Sequence, residues 1–176
     1  STLFKQLKCI HGWGFENGDF NESRHNIRTN IVLTIIKLLH QSEKLYNKEI
    51  IPSTVNLDDP TTYESIKCIA SFKDESFEFC HDSEFNWNEM TKLGNSIHLI
   101  WNLEAIQQAY TERGRFAIPD NMDYFMKKVQ AIFKEDYLPT HQDVLRTRIR
   151  TTGMIETKYE INDVFFNIYD VGGQRN

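Results

Sequence analysis

Apolar positions recur at helical spacing through most of the chain and at strand spacing after about residue 146. Leu3 to His11 is the first helical segment, with Gly12 and Gly14 as stop signals. The polar stretch from Glu16 to Ser23 reads as a linker. A long helix is expected from about Arg24 to Tyr46. Its stripe is Ile27, Ile31, Ile35 and Leu38, widened by Val32, Ile36 and Leu39, with Asn26, Asn30, Lys37 and Gln41 on the other side. So broad an apolar face predicts a helix surrounded by others. Asp58-Asp59-Pro60-Thr61 is a turn opening a short helix to about Ser71, with Pro in its first turn. The segment 73–83 is mixed, and Phe72, Phe77 and Phe79 read as core anchors. Glu84 to Leu93 predicts a short helix. Asn95 to Tyr110 predicts a stronger one, closed by Gly114, with Leu99, Leu103, Ile106 and Tyr110 on one face and Ile97, Ile100 and Trp101 beside it. Asp120 is a good N-cap for a further helix, in which Met122, Phe125, Met126, Val129, Ile132 and Phe133 hold helical spacing. Thr140-His141-Gln142-Asp143 fits a capping box, with Asp in the Glu slot, opening a short helix towards Arg146.

The period then changes to two. Ile155, Thr157, Tyr159 and Ile161 alternate with Glu156, Lys158 and Glu160, a strand with one wet face. Asn162-Asp163 is a turn signal. Val164 to Val171 is nearly all apolar, as a buried strand would be, and runs into Gly172-Gly173. Two strands do not make a stable sheet alone, so whatever completes this sheet is expected outside the chain.

Composition narrows the function classes. The 176 residues carry 20 Lys plus Arg against 25 Asp plus Glu, a net charge of −5, which argues against a general nucleic-acid binder. The longest apolar stretch, Ile31 to Leu39, is broken by Thr34 and Lys37, far short of the roughly 20 residues that cross a bilayer. No signal peptide is visible at the start, where Lys5 and Lys8 lie inside a helical pattern. The three cysteines, Cys9, Cys68 and Cys80, have no paired spacing and read as free thiols, and Cys80-His81 lacks the cluster a zinc site needs.

Three short stretches carry chemistry. Asp170-Val171-Gly172-Gly173-Gln174 places an acid at a strand end before two glycines. Such an Asp can hold Mg²⁺ through water, and glycines let backbone N–H groups approach a phosphate; a Gln beyond can orient a water. The bland reading is a solvent-side Asp at a flexible strand end. Arg146, Arg148 and Arg150 alternate in an acidic chain and make a local anion site, followed by Thr151 and Thr152 as possible Mg²⁺ ligands; the bland reading is a solvated basic edge. Ser1-Thr2 opens a helix as a cap does, and also as a P-loop ends.

Taken in order, these stretches resemble the alpha subunit of a heterotrimeric G protein. The carrying residues are Ser1-Thr2-Leu3-Phe4-Lys5-Gln6-Leu7-Lys8, Tyr137-Leu138-Pro139-Thr140, Gln142 to Arg148, Thr151-Thr152-Gly153 with Glu156, and Asp170 to Arg175. Small GTPases of the ADP-ribosylation-factor group share the Asp-x-Gly-Gly-Gln string but lack a long helical insertion. The resemblance implies a mostly α chain: a six-helix helical domain inserted in a Ras-like α/β P-loop GTPase domain, of which one helix and two strands are present. The implied boundaries are 1–14 for the first Ras-like helix, 15–24 for a linker, 25–145 for the helical domain, and 146–176 for switch I, two strands and the start of switch II.

The resemblance also implies roles. Ser1, Thr151 and Asp170 would hold Mg²⁺, Asp170 through water and Thr151 only in the triphosphate state. Thr2 would touch a phosphate. Arg148 would be a built-in arginine finger, with Leu145, Arg146 and Thr147 lining the nucleotide beside it. Asp120 and Asn121 would meet the nucleotide from the helical domain, where the family more often has Asp-Ser. Val171, Gly172 and Gly173 would follow the phosphates, the Gly173 N–H sensing the γ-phosphate, and Gln174 would position the attacking water. The implied ligands are GTP or GDP with Mg²⁺. The implied partners are a beta-gamma dimer, a seven-helix receptor, an effector and an RGS-type GTPase-activating protein, with no nucleic acid. The implied location is the cytoplasmic face of the plasma membrane. The Gly-rich turn and Lys that precede such a Ser, and the Asn-Lys-x-Asp guanine reader, are not in this sequence, so it reads as a piece of a longer chain. The alternative is that the chain alone is a non-catalytic helical interaction module.

Overall fold

Local caps and apolar spacing account for most of the elements. The computed structural model describes residues 2–11, 14–72, 86–149, 154–161 and 163–171. Among these it is mostly helical: α1 (Thr2–His11), α2 (Asn17–Asn47), α3 (Pro60–Ala70), α4 (Trp87–Trp101), α5 (Glu104–Thr111), α6 (Met122–Met126), α7 (Val129–Ile132) and α8 (His141–Arg146) precede β1 (Met154–Ile161) and β2 (Val164–Val171). A 3-10 turn at Arg113–Arg115 follows α5 at the expected stop. Two compact units divide the chain: Ser1–Asn26 with Leu138–Asn176, and Ile27–Tyr137. None of the described helices is long and apolar enough to cross a membrane.

The Ile27–Tyr137 unit is built around the stripe expected on α2. Ile27, Ile31, Val32, Ile35 and Leu38 are buried, with Ile36 and Leu39 packed at the edge. Against them lie Ile69 of α3, a line along α4 and Met122, Phe125, Met126, Val129, Ile132 and Phe133. Phe72 packs on this core as an anchor; Phe77 and Phe79 lie outside the described residues. The α3 start is as expected. Asp59 is the N-cap, its carboxylate accepting from the Thr62 N–H at 2.8 Å, and Pro60 follows at the first position. Hydrogen bonding from the Thr62 side chain, and then from the Thr62 N–H, lowers the Asp59 carboxyl pKa from its ordinary value.

Four expectations about boundaries fail. The stretch read as a linker is helical from Asn17, because Asp19 reaches back to accept from the Glu16 N–H at 2.8 Å and satisfies an otherwise orphan donor. The helices expected on either side of Gly94 are one, α4, and the break falls at Asn102 instead. That resets the phase: the fully buried line is Met90, Leu93, Ile97 and Ile100, while Leu99, Leu103 and Tyr110 are only partly buried. Asp120 is not the cap of the next helix; Asn121 is, in the left-handed region at φ 62°, which Asn tolerates better than most residues. That helix is also split between α6 and α7, although all six core positions read from its pattern are buried.

Gly94 is a packing residue rather than a helix breaker. A Cβ there would stand 2.8 Å from the Phe133 Cβ and 3.5 Å from the Val129 carbonyl oxygen. The absence of a side chain lets α4 approach α7. Gly94→Val is therefore expected to destabilise the protein by about 1–3 kcal/mol through overpacking. A lower midpoint in equilibrium urea unfolding checks this, and an unchanged midpoint contradicts it.

In the other unit, β1 and β2 form an antiparallel hairpin with Met154 opposite Val171 and Ile161 opposite Val164. The register leaves two residues for the turn, and Asp163 has φ 61°, as such a turn requires. Tyr169 faces Glu156 across the pair and donates to its carboxylate at 3.0 Å. β2 is not the buried strand its composition suggested: Val164, Phe165, Phe166, Tyr169 and Val171 are exposed, Phe165 by 74%. Burial of a strand needs layers on its faces, and among the described residues this sheet has two strands.

Candidate functional site

The unit formed by Ser1–Asn26 and Leu138–Asn176 collects most of the chemistry-bearing stretches. α1 packs against α8 and touches β1. α8 begins as expected, in a capping box. The Thr140 hydroxyl accepts from the Asp143 N–H at 3.2 Å, and the Asp143 carboxylate accepts from the Thr140 N–H at 2.9 Å. Asp143 is buried and Thr140 exposed, so the two hydrogen bonds are partly sheltered from water. α8 ends at Arg146, and Thr147 is its C-cap, donating both its N–H and its hydroxyl to the Asp143 carbonyl. Arg148 is the next residue and is exposed.

Lys5 of α1 completes the end of α8. Its ammonium donates to the carbonyls of Val144 at 2.9 Å and Thr147 at 2.7 Å. A helix leaves its last carbonyls without intrahelical donors, and a cation suits that end. Burial pushes the Lys5 pKa below its ordinary value, and the charges of Glu22 and Asp19 pull it part of the way back. One helical turn on, Lys8 pairs with Asp19 at 2.7 Å.

The remaining expected residues fall as follows. Thr2 opens α1. Leu145 and Arg146 lie half-buried on α8, and Thr147 is buried. Asp170 is half-buried near the end of β2, opposite Ile155, and Val171 is exposed opposite Met154. Asp120 and Asn121 are exposed residues of the other unit, just before α6. Ser1, Arg150, Thr151, Thr152, Gly172, Gly173, Gln174 and the Cys80-His81 pair lie outside the described residues. Cys9 and Cys68 are free thiols. Lys5 is the residue whose local role the pattern did not reveal. Its signal was a basic residue on a half-buried helix turn, which is not specific without the partner helix.

Arg148 after the capped helix α8 and Asp170 near the end of β2 thus lie in one unit with the helix that begins at Thr2. The family model of the G-protein alpha subunit matches residues 1–176, and the chain belongs to that family. It is 30% identical over 175 residues to the guanine nucleotide-binding protein alpha-3 subunit of Caenorhabditis elegans, covering 99% of this chain and 45% of that one. It is 28% identical over 176 residues to the guanine nucleotide-binding protein subunit alpha of Emericella nidulans, covering 99% and 45%. Against the guanine nucleotide-binding protein G(s) subunit alpha of Homarus americanus it is 31% identical over 178 residues, covering 99% and 42%. The chain thus spans less than half the length of these relatives.

Proposed function

We propose that the protein carrying this chain is a GTP-hydrolysing switch that couples receptors to effectors. The observation that carries the reading is the family match over all 176 residues, which includes the Arg148 and Asp170-to-Gln174 stretches. In this reading Arg148 spreads its planar donors over the charge that develops on the transferring phosphoryl group. Gln174 orients the attacking water, and the Gly173 N–H follows the γ-phosphate, so that its loss relaxes the switch segments. Ser1, Thr151 and Asp170 offer hydroxyl and carboxylate oxygens, the hard donors that Mg²⁺ selects, and the bound ion would neutralise phosphate charge. Thr2, Leu145, Arg146, Thr147, Val171 and Gly172 line the nucleotide. The helical unit acts as a lid, with Asp120 and Asn121 on its nucleotide side. Partners are a beta-gamma dimer, a seven-helix receptor, an effector and an RGS-type activator, at the cytoplasmic face of the plasma membrane.

The first test is titration calorimetry of the full-length protein with GDP. Saturable binding that strengthens with Mg²⁺, and no comparable binding of ADP, is expected. Failure to bind GDP with or without Mg²⁺ would sink the reading.

A further inference from the structure

Thr147, the residue before Arg148, is held at its N–H, its hydroxyl and its carbonyl, and the holder of the carbonyl comes from a helix far away in sequence. Thr147 donates its N–H and its hydroxyl to the Asp143 carbonyl, and Asp143 is itself locked by Thr140. The Thr147 carbonyl oxygen lies in the same rigid peptide plane as the Arg148 nitrogen. That oxygen accepts from the Lys5 ammonium at 2.7 Å, while a second proton of the same group goes to the Val144 carbonyl. Two anchored carbonyls, one in the last turn of α8 and one beyond it, set both the direction of the helix end and the plane from which Arg148 leaves. Lys5 lies one helical turn after Thr2 on α1, so the same helix carries the residue read as a phosphate contact.

We infer that Lys5 is a positioning residue for Arg148: it ties the phosphate-side helix to the backbone of the arginine finger. The inference rests on the reading of Arg148 given above. In this role Lys5 acts through the Val144 and Thr147 carbonyls. A guanidinium displaced by about 1 Å can lose on the order of 100-fold in rate, so a backbone clamp of this kind has a measurable kinetic signature.

The test is a double-mutant cycle in the full-length protein, read by single-turnover GTP hydrolysis, GDP affinity and thermal melting. Lys5→Met keeps the buried stem and removes the donors. It is expected to slow hydrolysis by about 10- to 100-fold with little change in GDP affinity. Lys5→Arg, which can still reach two carbonyls, is expected to recover much of that rate. In an Arg148→Cys background, Lys5→Met should cost almost nothing further, because the residue it positions is already gone. A full additional loss in that background would overturn the inference, since the clamp would then act through something else. So would an unchanged rate for Lys5→Met when Arg148→Cys alone is slow. If Arg148→Cys alone leaves hydrolysis unchanged, the reading of Arg148 fails first and the positioning role with it. Should Lys5→Met not fold, Lys5→Gln, which keeps a donor on a shorter stem, runs through the same cycle, where a full additional loss in the Arg148→Cys background again overturns the inference.

Discussion

Arg148→Cys in the full-length protein is expected to slow single-turnover GTP hydrolysis by about 10³-fold or more while leaving GDP affinity nearly unchanged. That magnitude is the one general to GTPases that carry or receive an arginine finger, of which heterotrimeric alpha subunits are a standard example. The direction follows from chemistry. A guanidinium facing the transferring group interacts most strongly when charge accumulates there, so its loss falls on the chemical step rather than on binding. Arg148 suits the task because it is exposed just past a helix whose start and end are both fixed. Gln174→Leu is expected to act in the same direction, through the water rather than the phosphoryl group. Rapid-quench measurement of phosphate release checks both, and unchanged hydrolysis in both variants would remove the assignment.

The second large effect concerns stability. Arg28→Met is expected to destabilise the protein by about 2–4 kcal/mol, although methionine fills much of the same volume. Arg28 is only 1% exposed. Its Nε donates to the Ile132 carbonyl at 3.0 Å and an Nη to the Lys134 carbonyl at 2.9 Å, and its guanidinium stands 5.3 Å from the Trp87 ring centroid. These carbonyls lie at and beyond the end of α7, where the helix leaves acceptors without intrahelical partners. Methionine would leave both in a site with little water. A lower urea midpoint with an unchanged slope is the expected result; a loss below about 1 kcal/mol would mean that water reaches the carbonyls and the clamp is dispensable. Arg28→Lys should recover only part of the loss, because one ammonium lacks the fixed fork that spans two carbonyls.

Both arginines show how unevenly the molecule is written in its sequence. Arg148 stood out because its alternation with Arg146 and Arg150 in an acidic chain is a local signal. Arg28 did not, since a single Arg inside a helical pattern is normally a solvated residue. On α4, Gly94 falls between the two helices the pattern predicts, yet its role is to admit Phe133. On β2 the apolar run was read correctly as a strand and wrongly as a buried one, because burial depends on neighbours the run does not encode.

Features settled within a few residues are legible in the chain alone. The Asp59-Pro60 start of α3, the Thr140–Asp143 capping box and the two-residue hairpin turn are all complete in their own segments. So are the stripe on α2 and the six buried positions between Met122 and Phe133, whose spacing survives even where the helix breaks. What closes α8 and what holds the end of α7 depend on segments far apart in the chain. The Arg28 clamp joins residues 104 apart, and the Lys5 clamp joins residues 139 apart. Over such distances hydrogen-bond partners are chosen by how helices pack, and that choice leaves no period in the chain to be read.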